Sequence, residues 1–495
     1  MKTTIVILTF IATISIWGFK AKENRSTRPN VLFICVDDLR PDLHCYGNAL
    51  IHSPNLDALA SQGTLFTRHF ATQPTCGASR YSLLTGKLPR TKDQITNAAI
   101  ELNLSNKSKT AIPESFVDYL KRSGYYTVGI GKISHSADGY VYDYSAPKSN
   151  KLEMPFSWDE MLFNPGKWGT GWNAFFGYAD GSNRQSRNSM VKPFEHEEVN
   201  DEDYPDGLSA ELAIQKLNDL AKKDQPFFLG VGFFKPHLPF NAPKKYWDLY
   251  SESDISLTNA PELPFDVHPA SLIGSNEFNR YKLGLEKASL QHPLSDKYAK
   301  TVRHAYYASI SYVDAQIGKV LDELRRLQLD KNTIVVVWGD HGWNLGDHRV
   351  WGKHTLSETS LRSTLIIKTP NLSGGIVQNA VVSSIDIYPT LMDLCNLKCS
   401  DGNDGKSLRK LLLKSKNGKW DNIAYSYFNK GVTVRTDRYR LTKYFREETP
   451  VVELYDHDKD PYENTNIAAQ SKNIIKDLSP ILEKGDTKIF STRPD

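Results

Sequence analysis

The chain has 495 residues, 40% of them hydrophobic and 24% charged, with a formal net charge of +4. That length supports about two to three domains with large cores. So small a charge argues against a nucleic-acid binder, and any anion binding must come from local placement of charge.

In chain order, Met1-Lys2 is followed by an apolar stretch near Thr3 to Phe19 and then by charged Lys20 to Arg25. This is the pattern of a signal peptide, expected over residues 1–22. A retained anchor is the other reading, since the run approaches spanning length. No cysteine follows it for lipid attachment, and no later segment could span a bilayer. Without Lys2 and Lys20 the mature chain is nearly neutral. An exported protein, periplasmic or secreted and without stable membrane insertion, is expected.

Val31 to Val36 is a continuous apolar run of the kind buried on both faces of a parallel sheet. Ser53-Pro54 opens a helix to about Gln62. Glu114 to Arg122 is amphipathic and closes at Gly124. Further strands are expected at Tyr126–Ile130, Pro226–Gly232 and Thr333–Trp338, and helices at Leu208–Lys222, Tyr298–Leu327 and Ile385–Leu394. Residues 140–205, rich in Trp, Phe, Asn, Gly and Ser without a period, read as long loops over one face, as do residues 251–293. Short strands at Thr433–Lys443 and Val451–Tyr455 and a helix at Lys472–Leu482 suggest a small C-terminal α+β subdomain. Strands alternating with helices argue for an α/β layer structure. The expected division is an α/β catalytic domain over residues 27–415 and the α+β subdomain over 416–495.

Asp37 and Asp38 follow one buried strand; Asp340 and His341 follow another. Ligands of open α/β sheets bind at the carboxyl ends of strands, so the two clusters could meet at one metal. Three carboxylates suit calcium. His341 would suit zinc or manganese better, and the metal is left open between them. Isolated capping carboxylates are the plainer alternative.

The five cysteines are too few for a disulfide scaffold and odd in number. Cys35 lies in a strand and reads as core; Cys395 and Cys399 are close enough to pair or to remain thiols. Cys76 enters a helix with Arg80 one turn on. A helix N-terminus and a guanidinium both stabilise negative charge, which favours a thiolate nucleophile or an anion site over a buried structural cysteine only weakly.

The segment from Gln73 through Cys76, Ala78 and Arg80 to Leu84-Thr85-Gly86 resembles the sulfatase signature. There a cysteine, a proline or alanine two residues on and an arginine four residues on direct oxidation of the cysteine to formylglycine. Ala78 stands where proline is commoner. The resemblance extends along the chain through Pro29 to Asp38, Gly131-Lys132 with His135, Phe233 to Phe240, Asp340 to Trp343, Gly352-Lys353 and Glu453 to Pro461. The Lys132–His135 spacing, the Phe233–Phe240 segment and His341 in place of asparagine resemble the iduronate-2-sulfatase subgroup.

The resemblance implies an alkaline-phosphatase-like fold, a large mixed sheet flanked by helices. It also implies maturation by a formylglycine-generating or sulfatase-maturating enzyme. One calcium ion would be held by Asp37, Asp38, Asp340 and His341, with residue 76 completing the set. The hydrated aldehyde made from Cys76 would attack sulfur, with Arg80 and Lys132 holding it. Lys353 and His237 would grip the sulfate, His237 protonating the leaving oxygen, and His135 would take the proton that expels sulfate. Trp343 could line the sugar site or be core. His44, His69, His304, His348 and His354 carry no assignment.

The substrate implied is a sulfated oligosaccharide or polysaccharide. Its unit would be a 2-O-sulfated uronate or similar, as in glycosaminoglycans or algal polysaccharides. A near-neutral mature chain favours a pocket for chain ends over a long basic groove. Two other readings share many of these residues: phosphate or phosphonate ester hydrolysis on the same fold, and a non-catalytic binder of sulfated glycans if Cys76 is never oxidised.

Overall fold

The computed structural model describes residues 28–106, 113–273, 275–399, 402–413 and 419–490. The expected signal peptide and the expected domain boundary at residues 415 and 416 lie outside the described residues.

The central strands are β1 (Asn30–Val36), β2 (Thr64–Phe70), β3 (Tyr126–Gly131), β4 (Glu160–Leu162), β5 (Phe227–Phe233) and β6 (Thr333–Gly339). With Ile376–Ser383 and Leu365–Lys368 they form one sheet. Its order is Ile376–Ser383, β2, Leu365–Lys368, β6, β1, β5, β3, β4, with Arg362–Ser363 added beside β2. Leu365–Lys368 runs antiparallel to both its neighbours, whereas β6, β1, β5, β3 and β4 are mutually parallel. The sheet is therefore mixed, and five adjacent strands end at the same edge.

Period-two alternation along β1 divides the core. Leu32, Ile34 and Val36 pack on one face with the helices Pro54–Gln62, Pro205–Leu220 and Asp296–Arg326. Val31, Phe33 and Cys35 pack on the other with Cys76–Thr85, Phe116–Arg122 and Ile387–Leu394. β-Branched and aromatic residues suit this position because both faces are covered. Each fully buried large side chain contributes roughly 1.5–3 kcal/mol of transfer free energy, enough to fix the register of β1 between β5 and β6.

The C-terminal part is a four-stranded antiparallel sheet, Ala424–Phe428, Gly431–Arg435, Tyr439–Tyr444 and Val451–Asp456. The helix Lys472–Gly485 covers it, with Leu478 and Leu482 against Val434, Leu441 and Leu454. The run expected as one strand over Thr433–Lys443 is a hairpin instead, turned between Thr436 and Tyr439. A buried ion network joins this sheet to the main body. Glu358 receives Arg435 Nε at 3.0 Å and also Arg440, which reaches Glu463 at 2.5 Å; His457 reaches Glu463 at 3.0 Å.

Residues 140–205 are not the featureless loops expected. Burial of their aromatics organises them: Trp168, Trp172, Phe175 and Phe176 pack with Phe234 around the helix Gly171–Phe175. Among the described residues no helix is long and apolar enough to cross a membrane.

Candidate active site

The site lies where the parallel strands end. β1 delivers Asp37 and Asp38, β6 delivers Asp340 and His341, β3 delivers Lys132, and β5 leads to His237. Asp38 takes a left-handed backbone conformation at φ 60°, which a short polar side chain tolerates. Its amide donates to Asp340 Oδ1 at 2.9 Å, tying the two strand ends together. Tyr306 holds the same turn by donating to the Asp38 carbonyl at 2.6 Å.

Cys76 is the first residue of the buried helix Cys76–Thr85, which closes on Gly86 at φ 63°. Gly77 is required there: a Cβ would stand 2.2 Å from the Asn97 carbonyl oxygen. The Cys76 Sγ lies 3.3 Å from Lys353 Nζ and 3.3 Å from His341 Nε2. Burial and then Asp37 push the thiol well above its ordinary range, against Lys353 and Lys132. Burial thus opposes the thiolate that a helix terminus and a guanidinium would favour, and a protonated thiol is a poor nucleophile.

Arg80 points inward rather than toward Cys76. It donates to Asp340 Oδ2 at 3.1 Å, to Asp37 Oδ1 at 3.3 Å and to the Lys132 carbonyl. Lys132 Nζ donates to Asp37 Oδ2 at 2.6 Å and sits 4.2 Å from the Phe175 ring centroid. Lys353 Nζ donates to Asp38 Oδ1 at 2.9 Å. His237 donates Nδ1–H to the Leu238 carbonyl at 2.6 Å, which leaves Nε2 3.0 Å from Glu277 Oε1. Burial and Lys353 lower the His237 pKa; Glu277 pulls it back. His135 is held well below its ordinary range by burial and Lys132, so it is a neutral base, and its buried Nδ1 has no protein partner.

Asp37, Asp38 and Asp340 offer carboxylate oxygens within 4.8 Å of one another, all buried. Asp38, Cys76 and His341 form a second such group. Three converging carboxylates offer the hard oxygen donors that suit a divalent cation, while Lys132, Lys353 and Arg80 balance their charge. The structure thus brings together all ten residues singled out in the sequence.

A cavity of about 310 Å³ opens over Cys76. Its walls include Lys132, His135, His237 and Lys353, and also Glu277, Arg184, Arg280, Trp172 and Tyr144, which the motifs did not reveal. Glu277 and Arg184 sit in aperiodic segments with no spacing signal. Only the unusual aromatic density of residues 140–205 marked that region. Trp343 is fully buried beside Lys353 and His237 and is core.

A mixed sheet covered on both faces, with charged side chains gathered at its carboxyl edge, is the alkaline-phosphatase-like fold. The chain belongs to the sulfatase family, whose model matches residues 29–397, and it is a sulfuric ester hydrolase. The model of the N-sulphoglucosamine sulphohydrolase C-terminal region matches residues 346–488. A sulfatase of Formosa agariphila is 30% identical over 98% of this chain and 92% of its own length. The iduronate 2-sulfatase of Homo sapiens is 33% identical over 72% of this chain, and the match spans 63% of that protein. A phosphonate monoester hydrolase of Agrobacterium radiobacter shares the fold, with a TM-score of 0.70, 24% identity and coverage of 94% and 95% of the two chains.

Proposed function

We propose that the chain removes sulfate from a 2-O-sulfated uronate or a similar unit of a glycosaminoglycan or algal polysaccharide. In this reading it acts as an exported, calcium-dependent enzyme whose Cys76 is matured to formylglycine. The observation that carries the reading is the position of Cys76. Its sulfur stands 3.3 Å from both Lys353 Nζ and His341 Nε2, beside three buried carboxylates, with a thiol that burial keeps protonated.

Formylglycine supplies, once hydrated, a hydroxyl nucleophile that the thiol does not. Asp37, Asp38, Asp340 and His341, with residue 76 beside them, would hold a calcium ion, whose Lewis acidity would polarise sulfate oxygens and favour ionisation of that hydroxyl. The remaining roles belong to this chain's own residues. Arg80 spans Asp37 and Asp340 and so fixes the spacing of the carboxylates. Lys132 and Lys353 present ammonium groups to the sulfate and to charge developing on it. His237, its Nδ1–H fixed on the Leu238 carbonyl and its Nε2 beside Glu277 on the cavity wall, delivers a proton from Nε2 to the leaving sugar oxygen when the ring is in its protonated form. His135, neutral and with Nδ1 unpartnered, takes up the proton released when sulfate leaves.

The iduronate-type substrate rests on the likeness to the iduronate 2-sulfatase, together with Lys132, His135 and His341. The partners of this reading are the sulfated glycan and a maturation enzyme that accepts Ala78. Export rests on the pattern of residues 1–22.

The test is sulfate release from a 2-O-sulfated, uronate-terminated disaccharide by protein co-expressed with a maturation enzyme. The mass of the Cys76 peptide and a Cys76→Ala control accompany it. Release that disappears in the control supports the reading. A fully converted Cys76 with no release discards the uronate substrate, and a preference for phenyl phosphonate over sulfate esters favours phosphonate chemistry.

A further inference from the structure

Arg184 lines the same cavity as Cys76. It is 6% exposed, and its guanidinium carbon lies 3.5 Å from the Phe176 ring centroid and 5.6 Å from that of Tyr281. No carboxylate of the described residues forms an ion pair with it. Glu277, the one acid on this cavity's wall, is engaged by His237 at 3.0 Å and Lys353 at 3.6 Å. A buried cation without a counter-charge is costly unless a ligand supplies one. The Phe176 ring, 3.5 Å away, holds the guanidinium against its face, and a guanidinium so held suits bidentate binding of an anion. Arg280 lines the same cavity, likewise without an ion pair among the described residues.

The adjoining cavity, about 380 Å³, shares His135, Tyr144 and Trp172 with the first but is lined by Glu101, Asp143 and Glu153. Its acids repel an anion that the arginine side attracts. The first cavity, at about 310 Å³, lies at the small end of ligand pockets and holds roughly one sugar ring. Within a space of that size, a second anion reaching Arg184 is placed most directly on the ring that carries the sulfate.

We propose that Arg184, assisted by Arg280, is the subsite for a carboxylate on the sulfated sugar itself. This inference rests on the sulfatase reading of the Cys76 site. Arg184 becomes a specificity determinant that selects uronates over neutral sugars bearing the same sulfate ester.

The experiment measures binding, so it does not depend on turnover. Titration calorimetry on Cys76→Ser protein compares a 2-O-sulfated uronate disaccharide with its carboxyl-reduced alcohol, and with a disulfated analogue that replaces the carboxylate by a second sulfate. The uronate is expected to bind at least about tenfold tighter than either, the range of a charge-assisted pair. Arg184→Gln in the same background is expected to bring the uronate and the alcohol to within about threefold of each other, with Arg184→Lys between. Melting curves confirm that each variant is folded. Equal affinity for uronate and alcohol, no binding of either, or equally tight binding of the disulfated analogue overturns the proposal. Failure of the underlying reading shows separately, as no sulfate release from 4-nitrocatechol sulfate by the matured enzyme.

Discussion

Lys353 and Cys76 are in direct contact: the ammonium nitrogen lies 3.3 Å from the sulfur while also donating to Asp38 at 2.9 Å. One cation thus bridges the acidic cluster and the cysteine proposed as the precursor of the nucleophile. Lys353→Ala is expected to lower kcat by about 10²–10³-fold, the scale of losing one preorganised charge donor. Sulfate release by folded, fully matured protein checks this. A loss confined to KM would move Lys353 to ground-state binding.

Removal of the cation should silence the enzyme reversibly. Treatment with EGTA is expected to abolish sulfate release and to lower Tm. At a calcium concentration about a hundred times Kd, the stabilisation lost is about 2.7 kcal/mol. Calcium should restore both, and Asp340→Asn should show no calcium-dependent shift in Tm. Restoration by zinc or manganese but not by calcium would make His341 the ligand that decides the metal.

Glu277 favours the protonated form of His237, against burial and Lys353. Burial and Lys353 lower the His237 pKa and Glu277 raises it, so Glu277→Gln should lower it further. With His237 as the proton donor, the alkaline limb of the kcat–pH profile is expected to move to lower pH in Glu277→Gln. A profile that keeps its limbs and only loses height assigns Glu277 to packing alone.

Acid should loosen the seam between the main sheet and the C-terminal sheet. Burial alone would raise the Glu463 pKa, but Arg440 and His457 outweigh it and bring it from 4.5 to about 2. The folded value is below the unfolded one. Its stabilisation is therefore present above pH 4.5 and is lost as pH falls toward about 2. Glu463→Gln is expected to flatten the fall of Tm across that window. At neutral pH it should cost about 3 kcal/mol, because buried Arg440 loses a partner.

Gly77→Ala tests how tightly the Cys76 helix is seated. The new methyl would meet the Asn97 backbone at 2.2 Å, and backbone cannot yield as a flexible side chain would. A loss of about 1–3 kcal/mol in stability is expected from overpacking, read by denaturant unfolding.

Much of this was legible in the sequence wherever burial is complete and periodic. Val31–Val36 and Thr333–Trp338 announce central strands because both their faces are covered, and the acids that follow them were found by position alone. β2 and the strands Leu365–Lys368 and Ile376–Ser383 were missed: Thr64–Phe70 lies inside the sheet yet mixes Thr, Arg and His with apolar residues, and Leu365–Lys368 is only four residues long. Glu277 and Arg184 were missed for a different reason. Each is a single charged residue in a segment shaped by tertiary packing, where no local period exists to read. The Thr436–Arg438 turn was hidden because the strands on either side of it share one composition.

The order of the central strands also sets a schedule. β1 lies between β5 and β6, yet β6 follows it by about 300 residues of chain. At a synthesis rate of about 5–20 residues per second, one edge of the most apolar strand waits roughly 15–60 seconds for its partner. Wherever the chain folds, the half-built sheet presents an unpaired apolar edge along β1 until Thr333–Gly339 arrives to cover it.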